Sequence, residues 1–74
     1  MITSYIFHTK EGVFRIIEHA ERWQVRFQGE TLGSYATPQQ AADDVAAGLT
    51  LTPSSGLDTS TLGIPHELSK WQAV

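Results

Sequence analysis

The sequence contains no cysteine, and only 18% of its 74 residues are charged. Without cysteine there is neither a disulfide bond to stabilise the fold nor a thiolate for catalysis or metal binding. The longest apolar run is far shorter than a membrane span, and the segment 1–5 lacks the charged and apolar regions of a signal peptide. We therefore expect a cytoplasmic protein without a membrane partner, stabilised by one small apolar core.

Basic residues are also few: five Lys and Arg stand against eight Asp and Glu, which gives a net charge of −3. A nucleic-acid-binding domain needs a local excess of basic side chains for its phosphate contacts, so this balance argues against nucleic acid without excluding it. The apolar fraction of 41% suffices for a core. The length predicts a single domain over residues 1–74.

Residues 2–36 carry the signals of an antiparallel β-meander with three to four strands. Apolar and polar side chains alternate in the segment 22–28, so Trp23, Val25 and Phe27 share one face. The predicted fold class is therefore α+β, because a helical segment follows the meander.

The alternation also predicts how the strands pair. A turn at Ala20 and Glu21, and another over residues 9–12, bring apolar side chains opposite one another. A shift of one residue would set these aromatic residues opposite polar ones, so the pattern selects the register. Gly29 favours a further hairpin that brings Leu32 beside Phe27 or Val25. The expected pairs are Tyr5 with Ile16, Phe7 with Phe14, Phe14 with Phe27, and Ile16 with Val25.

A helix is predicted over residues 38–48. Thr37 is a favourable N-cap, Pro38 suits the first helical position, and Gly48 is a typical terminator. The helix should lie close to the sheet, on the face of Trp23, because its inward side chains are small. These predicted inward residues are Ala41, Ala42, Val45 and Leu49.

The remaining residues predict an irregular connector over 49–63 and a short helix over 65–71 that begins at Pro65. The connector is too apolar for a free linker, because it contains Leu51, Leu57 and Leu62. Leu68 and Trp71 are three residues apart and would share one face of the short helix. We expect these two side chains to anchor the tail on the domain.

No arrangement of residues indicates catalysis, a metal site or a cofactor. None of the histidines His8, His19 and His66 pairs with another at a spacing typical of metal ligands. There is no nucleophile elbow and no glycine-rich phosphate loop. The adjacent Asp43 and Asp44 either form a solvated helix face or supply a carboxylate to Trp71 or to an arginine. We expect the protein not to be an enzyme.

The face of the sheet opposite the helix is the strongest functional feature. The register sets Arg15 directly opposite Arg26, and this like-charge pair is unfavourable unless an anion or an acidic partner lies between them. Two other interpretations remain: the arginine stems cover apolar residues, or the tail folds over this face and Glu67 neutralises the charge. The candidate binding residues are Arg15, Arg22, Gln24 and Arg26; Ile6, Val13, Ile17 and Gln28 share their face.

Two stretches resemble a known family of DNA-binding domains. Residues 23–26, Trp-Gln-Val-Arg, and 32–42, Leu-Gly-Ser-Tyr-Ala-Thr-Pro-Gln-Gln-Ala-Ala, are similar to the ethylene-response-factor type of plant domain. The resemblance implies a three-stranded sheet with an Ala-rich helix across it, and an exposed sheet face that enters the DNA major groove. On this chain it implies DNA contacts by Arg15, Arg22 and Arg26. The basic run that precedes the tryptophan in that family is missing here.

A second resemblance covers the later two thirds of the chain. The pattern Tyr35-x-Thr37-Pro38-x-x-Ala-Ala-Asp-Asp-Val, followed by Pro65-x-x-Leu68-x-x-Trp, is similar to a group of small bacterial proteins. It implies that helix and tail belong to one folding unit, and it implies no activity. The leading expectation is an interaction module that binds a protein partner or associates with itself through the arginine-bearing face. The alternative is a weak nucleic-acid-binding domain.

Overall fold

A computed structural model describes residues 4–74, so the first residues of the predicted meander, 2 and 3, lie outside the described part. Five antiparallel strands form one sheet in the order β4-β3-β2-β1-β5, which confirms the α+β class. The strands are β1 (Ser4–Thr9), β2 (Gly12–His19), β3 (Arg22–Phe27), β4 (Glu30–Tyr35) and β5 (Gln72–Ala73), and the helix α1 spans Pro38–Ala47. Two 3₁₀ turns, Thr59–Thr61 and Leu68–Lys70, interrupt the irregular segment between α1 and β5.

The predicted register of the first two hairpins is confirmed at every expected pair. Phe14 lies opposite both Phe7 and Phe27, and Ile16 lies opposite both Tyr5 and Val25. The rings of Phe14 and Phe27 stack with their centroids 4.2 Å apart. Aromatic pairing of this kind stabilises one register over its neighbours, because a shift would bury polar side chains instead.

The β2–β3 turn has an unusual composition for its geometry. Ala20 and Glu21 both adopt positive φ angles, 52° and 67°, as a two-residue hairpin turn of the primed type requires. Neither residue is the glycine or asparagine that favours this conformation. The turn is therefore held by the strand pairing on either side, and not by the preference of its own residues.

Leu32 lies in the core with Val25 and Phe27, as predicted, but it pairs directly with neither. A β-bulge between Val25 and Arg26 sets Gly33 opposite Val25 and Thr31 opposite Arg26, so Leu32 is the unpaired extra residue of β4. A bulge turns its strand locally, and here the side chain of Leu32 enters the core with only 2% exposure.

The helix begins and ends as predicted, but its inward stripe differs at one position. The N–H of Gln40 donates to the Thr37 hydroxyl over 3.2 Å, and Gly48 closes the helix with a φ of 75°. Because the chain reverses at this left-handed residue, Leu49 leaves the helix and is 72% exposed. Ala46 takes its place in the core beside Ala41, Ala42 and Val45.

The connector runs past β4 and is fixed to it by hydrogen bonds. The backbone N–H of Leu51 donates to the carbonyl of Leu32 over 2.9 Å, and the Glu30 carboxylate accepts from the N–H and hydroxyl of Ser54. Leu57 and Leu62 pack against the core as expected of an apolar connector. Leu51 does not, because its side chain is 70% exposed.

The tail does not form the predicted short helix from Pro65. Its only helical turn is the 3₁₀ turn Leu68–Lys70, after which the chain becomes β5 and pairs with the edge of β1. The amide of Gln39 links α1 to the tail, donating to the carbonyl of His66 over 2.7 Å and accepting from the N–H of Leu68 over 3.2 Å. The tail is therefore held by its pairing with β1 and by the hydrogen bonds of Gln39, and not by forming a helix.

Trp71 anchors the tail on the helix side of the sheet. Its side chain is 5% exposed, its ring centroid lies 5.7 Å from that of Phe7, and its indole N–H donates to the carbonyl of Pro65 over 3.1 Å. Leu68 packs beside it, partly buried. Of the two interpretations of Asp43 and Asp44, a carboxylate bound to Trp71 or to an arginine is not found among the described residues. Asp43 instead lies 3.5 Å from the imidazole of His66.

Candidate interaction face of the sheet

The face of the sheet opposite α1 is formed by the alternate residues of β1, β2 and β3. We call it the open face and define it by Ile6, Val13, Arg15, Ile17, Gln24 and Arg26, whose partners in the register place them together. Arg15 is exposed and the other five are half-buried. Because Trp71 and Leu68 hold the tail on the helix side, the described residues of the tail do not cover this face.

A pocket of about 490 Å³ opens on this face over the β2–β3 hairpin. Its volume lies within the range of sites that bind small molecules or a few residues of a peptide. The pocket is lined by Val13, Arg15, Ile17, Arg26, Phe27, Gln28 and Gly29.

Arg22 differs from the other two arginines. Its Nε–H donates to the hydroxyl of Ser34 over 2.9 Å, and an Nη group donates to the carbonyl of the same residue over 3.1 Å. These hydrogen bonds join the start of β3 to the end of β4. Of the predicted binding residues, Arg22 is therefore already engaged in hydrogen bonds within the protein, whereas no described residue binds the side chain of Arg15 or Arg26 in this way.

Arg15 and Arg26 lie directly opposite each other, as predicted. Within residues 4–74 neither arginine forms an ion pair with a carboxylate. The Nε of Arg26 is buried and has no hydrogen-bond partner among the residues that the structure describes. A buried donor without a partner costs about 1–3 kcal/mol, and the neighbouring guanidinium adds like-charge repulsion. In the free protein, an unsatisfied donor and like-charge repulsion are thus both found at Arg26.

The acidic residues of the adjacent strands point away from this pair. Glu18 lies opposite Trp23 and Glu30 lies opposite Phe27, so both belong to the helix side of the sheet. Asp43 and Asp44 belong to α1 on that side as well. Although the chain is acidic overall, three of its five basic residues lie on this side of the sheet, Arg15 and Arg26 within the open face and Arg22 next to it on β3, and they form a local positive patch.

Other polar groups form smaller features. Burial raises the pKa of Tyr35 to about 12, and the nearby Asp44 carboxylate adds to this rise. Hydrogen bonds from Ser60 lower the pKa of Asp58, which caps the first 3₁₀ turn. A second pocket of about 340 Å³ lies along the connector between Gly48 and Thr59. None of these groups approaches the open face.

From residue 4 to the C-terminal residue, no three His, Asp or Glu side chains converge as metal ligands would. The single helix of that region is too short and too polar to cross a bilayer.

Sequence reasoning identified the arginines and Gln24 but not the shape of the site. It missed that the pocket extends to Gln28 and Gly29 in the β3–β4 turn, and that Arg22 is held by Ser34. Nothing in the local pattern around these two turn residues indicates a pocket. The hydrogen bonds between Arg22 and Ser34 depend on the bulged register of β4, which the sequence pattern does not reveal.

No family model, curated protein or solved structure shows a significant match to this chain.

Proposed function

We propose that this protein is a non-enzymatic interaction module whose open face binds an acidic segment of a partner protein. The observation that supports the proposal most directly is the opposed pair Arg15 and Arg26, which has no carboxylate partner within residues 4–74. A negatively charged segment would neutralise both guanidinium groups and cover the half-buried apolar side chains between them. Complementary charge of this kind raises both the rate and the specificity of association.

Self-association through this face is less favourable. A two-fold dimer would bring Arg15 and Arg26 against the same residues of the second copy, and four positive charges would meet in one interface. A contact between the open face and the acidic helix side would avoid this repulsion. Such a contact is head-to-tail, however, and would extend into filaments unless it closed into a ring.

Nucleic acid is the second candidate, because three arginines share one sheet face. Phosphate contacts need several free cations, whereas Arg22 already donates to Ser34 and the chain has a net charge of −3. A domain with so few free cations would bind nucleic acid weakly and without sequence preference. An acidic protein segment needs only one or two of these contacts together with apolar burial.

The test is a pair of titrations followed by amide NMR shifts on the isotope-labelled protein. One titrant is a peptide of alternating Glu and Val residues, and the other is a short DNA duplex, each added at low and at physiological salt. We expect the peptide to shift the amides of β2 and β3, with an affinity that falls only moderately as salt rises. The double variant Arg15→Glu/Arg26→Glu should abolish these shifts, whereas Lys10→Glu, the same charge reversal in the β1–β2 turn, should retain them.

Three results would overturn the proposal. The first is binding of the duplex alone, with the steep loss of affinity on adding salt that counterion release produces. The second is a dimer or larger assembly in sedimentation that Arg15→Glu dissociates, because the open face would then bind a second copy. The third is the absence of shifts on β2 and β3 with either titrant.

A further inference from the structure

The pocket on the open face has the chemistry of a site for one particular group. Directly opposed residues of an antiparallel pair have Cβ atoms about 4.5–5.5 Å apart, so the guanidinium groups of Arg15 and Arg26 can reach a common ligand. Val13 and Ile17, the neighbours of Arg15 on the same face of β2, line the same pocket. Two planar donors thus stand beside an aliphatic wall.

The donor chemistry favours a carboxylate. A guanidinium presents a planar fork that matches the two oxygens of a carboxylate, and the two oxygens have enough lone pairs to accept from both arginines. Arg26 would gain most from such an acceptor, because its Nε is buried and no group in the described part of the chain accepts a hydrogen bond from it. A carboxylate that accepts two parallel hydrogen bonds from this guanidinium would therefore satisfy the Nε donor in addition to attracting the positive charge.

The apolar wall restricts what carries the carboxylate. A phosphate dianion is more strongly hydrated than a carboxylate and would lose that hydration against Val13 and Ile17. A carboxylate on a short hydrocarbon stem, with an aliphatic group beside it, would bury the hydrocarbon against the wall and keep its charge at the arginines. Acidic side chains in a protein segment that also contains Val, Ile or Leu have this composition.

We propose that Arg15 and Arg26 together hold one Asp or Glu side chain of the partner, and that Val13 and Ile17 receive an aliphatic residue next to it. The recognised element is thus an acidic residue flanked by aliphatic residues, bound over the β2–β3 hairpin. This inference rests on the proposed function, since it specifies which chemistry of an acidic partner the open face selects.

The experiment uses three short blocked peptides: Glu between two Val residues, Gln between two Val residues, and Glu between two Gly residues. The readout is the NMR resonance of each arginine Nε–H, together with the dissociation constant. We expect the first peptide to bind with a dissociation constant below about 1 mM and to shift the Nε–H resonances of Arg15 and Arg26. The other two should bind at least about tenfold more weakly, because each lacks either the charge-assisted hydrogen bonds or the aliphatic contact.

Conservative variants separate the planar fork from simple charge attraction. Arg26→Lys keeps the positive charge but loses the two-pronged geometry, and we expect it to weaken binding of the Glu peptide by about tenfold. Arg22→Lys is the matched control, because it makes the same change on the same face at a residue held by Ser34. This control should change the affinity by less than about twofold, and thermal unfolding of both variants establishes that they are folded.

Two outcomes would overturn this inference while leaving the proposed function in place. The first is binding of the Glu peptide by Arg26→Lys as tightly as by the unchanged protein, which would show attraction by charge alone. In the second, the longer Glu and Val peptide would shift β2 and β3 while the short peptides bind equally weakly or leave the Nε–H resonances unmoved. If no acidic peptide of any length perturbs the open face, both the inference and the proposed function fail.

Discussion

The two faces of the sheet are built from the same strands but carry different side chains. On the helix side Phe14, Ile16 and Val25 are completely buried beneath α1 and the tail. On the open face the residues that alternate with them stay accessible, and two of them are opposed cations without a carboxylate partner in the described chain. The buried helix side supplies the stability of the fold, and this stability allows the open face to keep an unfavourable pair of like charges in the free protein. Substitutions on the two faces should therefore have opposite consequences.

The largest effect is expected at the tail anchor. Trp71→Ala would empty a buried site beside Phe7 and remove the hydrogen bond to Pro65. We expect the free energy of unfolding to fall by about 3–5 kcal/mol, as for other buried aromatic residues truncated to alanine. In so small a domain that change approaches the whole stability, so chemical denaturation should show a largely unfolded variant at room temperature.

Leu49→Ala is the matched control for Trp71→Ala, because it truncates a large apolar side chain that is 72% exposed. Its effect on unfolding should stay within about 0.5 kcal/mol. Equal stability of the Trp71→Ala variant and the unchanged protein would show that the tail contributes nothing to the helix-side core, and the contrast between the two faces would lose its basis.

A second change on the helix side tests packing at the bulge. A Cβ added at Gly33 would lie 2.7 Å from the ring of Tyr35, which is closer than two carbon atoms approach. Gly33→Ala should therefore displace the ring and destabilise the protein by about 1–3 kcal/mol. The measurement is urea unfolding, repeated with Tyr35→Leu as background. If the alanine costs as much without the ring as with it, the clash is not the cause.

Much of the helix side was predictable because it depends on local pattern. Alternation in β2 and β3 specified which residues of the hairpins meet, and an error of one residue would have buried Arg26 and Gln24. Thr37 and Gly48 marked the ends of α1 through backbone chemistry that acts within a few residues. At these positions sequence and structure agree, whereas the equally local pattern from Pro65 to Trp71 did not produce the predicted helix.

The remaining features depend on contacts between distant segments. The bulge that buries Leu32 arises from how β4 fits against β3 and the connector, and the tail pairs as β5 because an edge of β1 was left free. Neither feature has a local sequence signal. For the candidate site, alternation identified the opposed arginines, but the occupied state of Arg22 and the pocket at Gly29 required coordinates.

The third prediction uses pH to probe the helix side. An unfolded chain releases the tyrosine proton near pH 10, whereas the pKa of Tyr35 in the folded protein is raised to about 12. The folded state then binds more protons than the unfolded state, so this contribution to stability is complete below pH 10 and is lost as the pH rises towards 12. The free energy of unfolding, measured between pH 10 and pH 12, should therefore fall less steeply with pH in Tyr35→Phe than in the unchanged protein. A weaker reduction is expected for Asp44→Asn, which removes the secondary cause. Identical slopes in all three proteins would contradict the assignment.

The smallest and most informative effect is expected on the open face. Arg15→Thr removes one member of the like-charge pair and introduces a residue that favours strands, so stability should stay equal or rise by about 0.5 kcal/mol. Phe14→Leu, at the neighbouring position on the opposite face, should instead reduce stability by about 1 kcal/mol or more. Thermal unfolding of the two variants compares adjacent residues of one strand that face in opposite directions. A clear loss of stability in Arg15→Thr would mean that the arginine stabilises the fold itself, and the pair would no longer indicate a partner. A gain would mean that the residue is retained at a cost to stability, as is common for residues that serve binding and not folding.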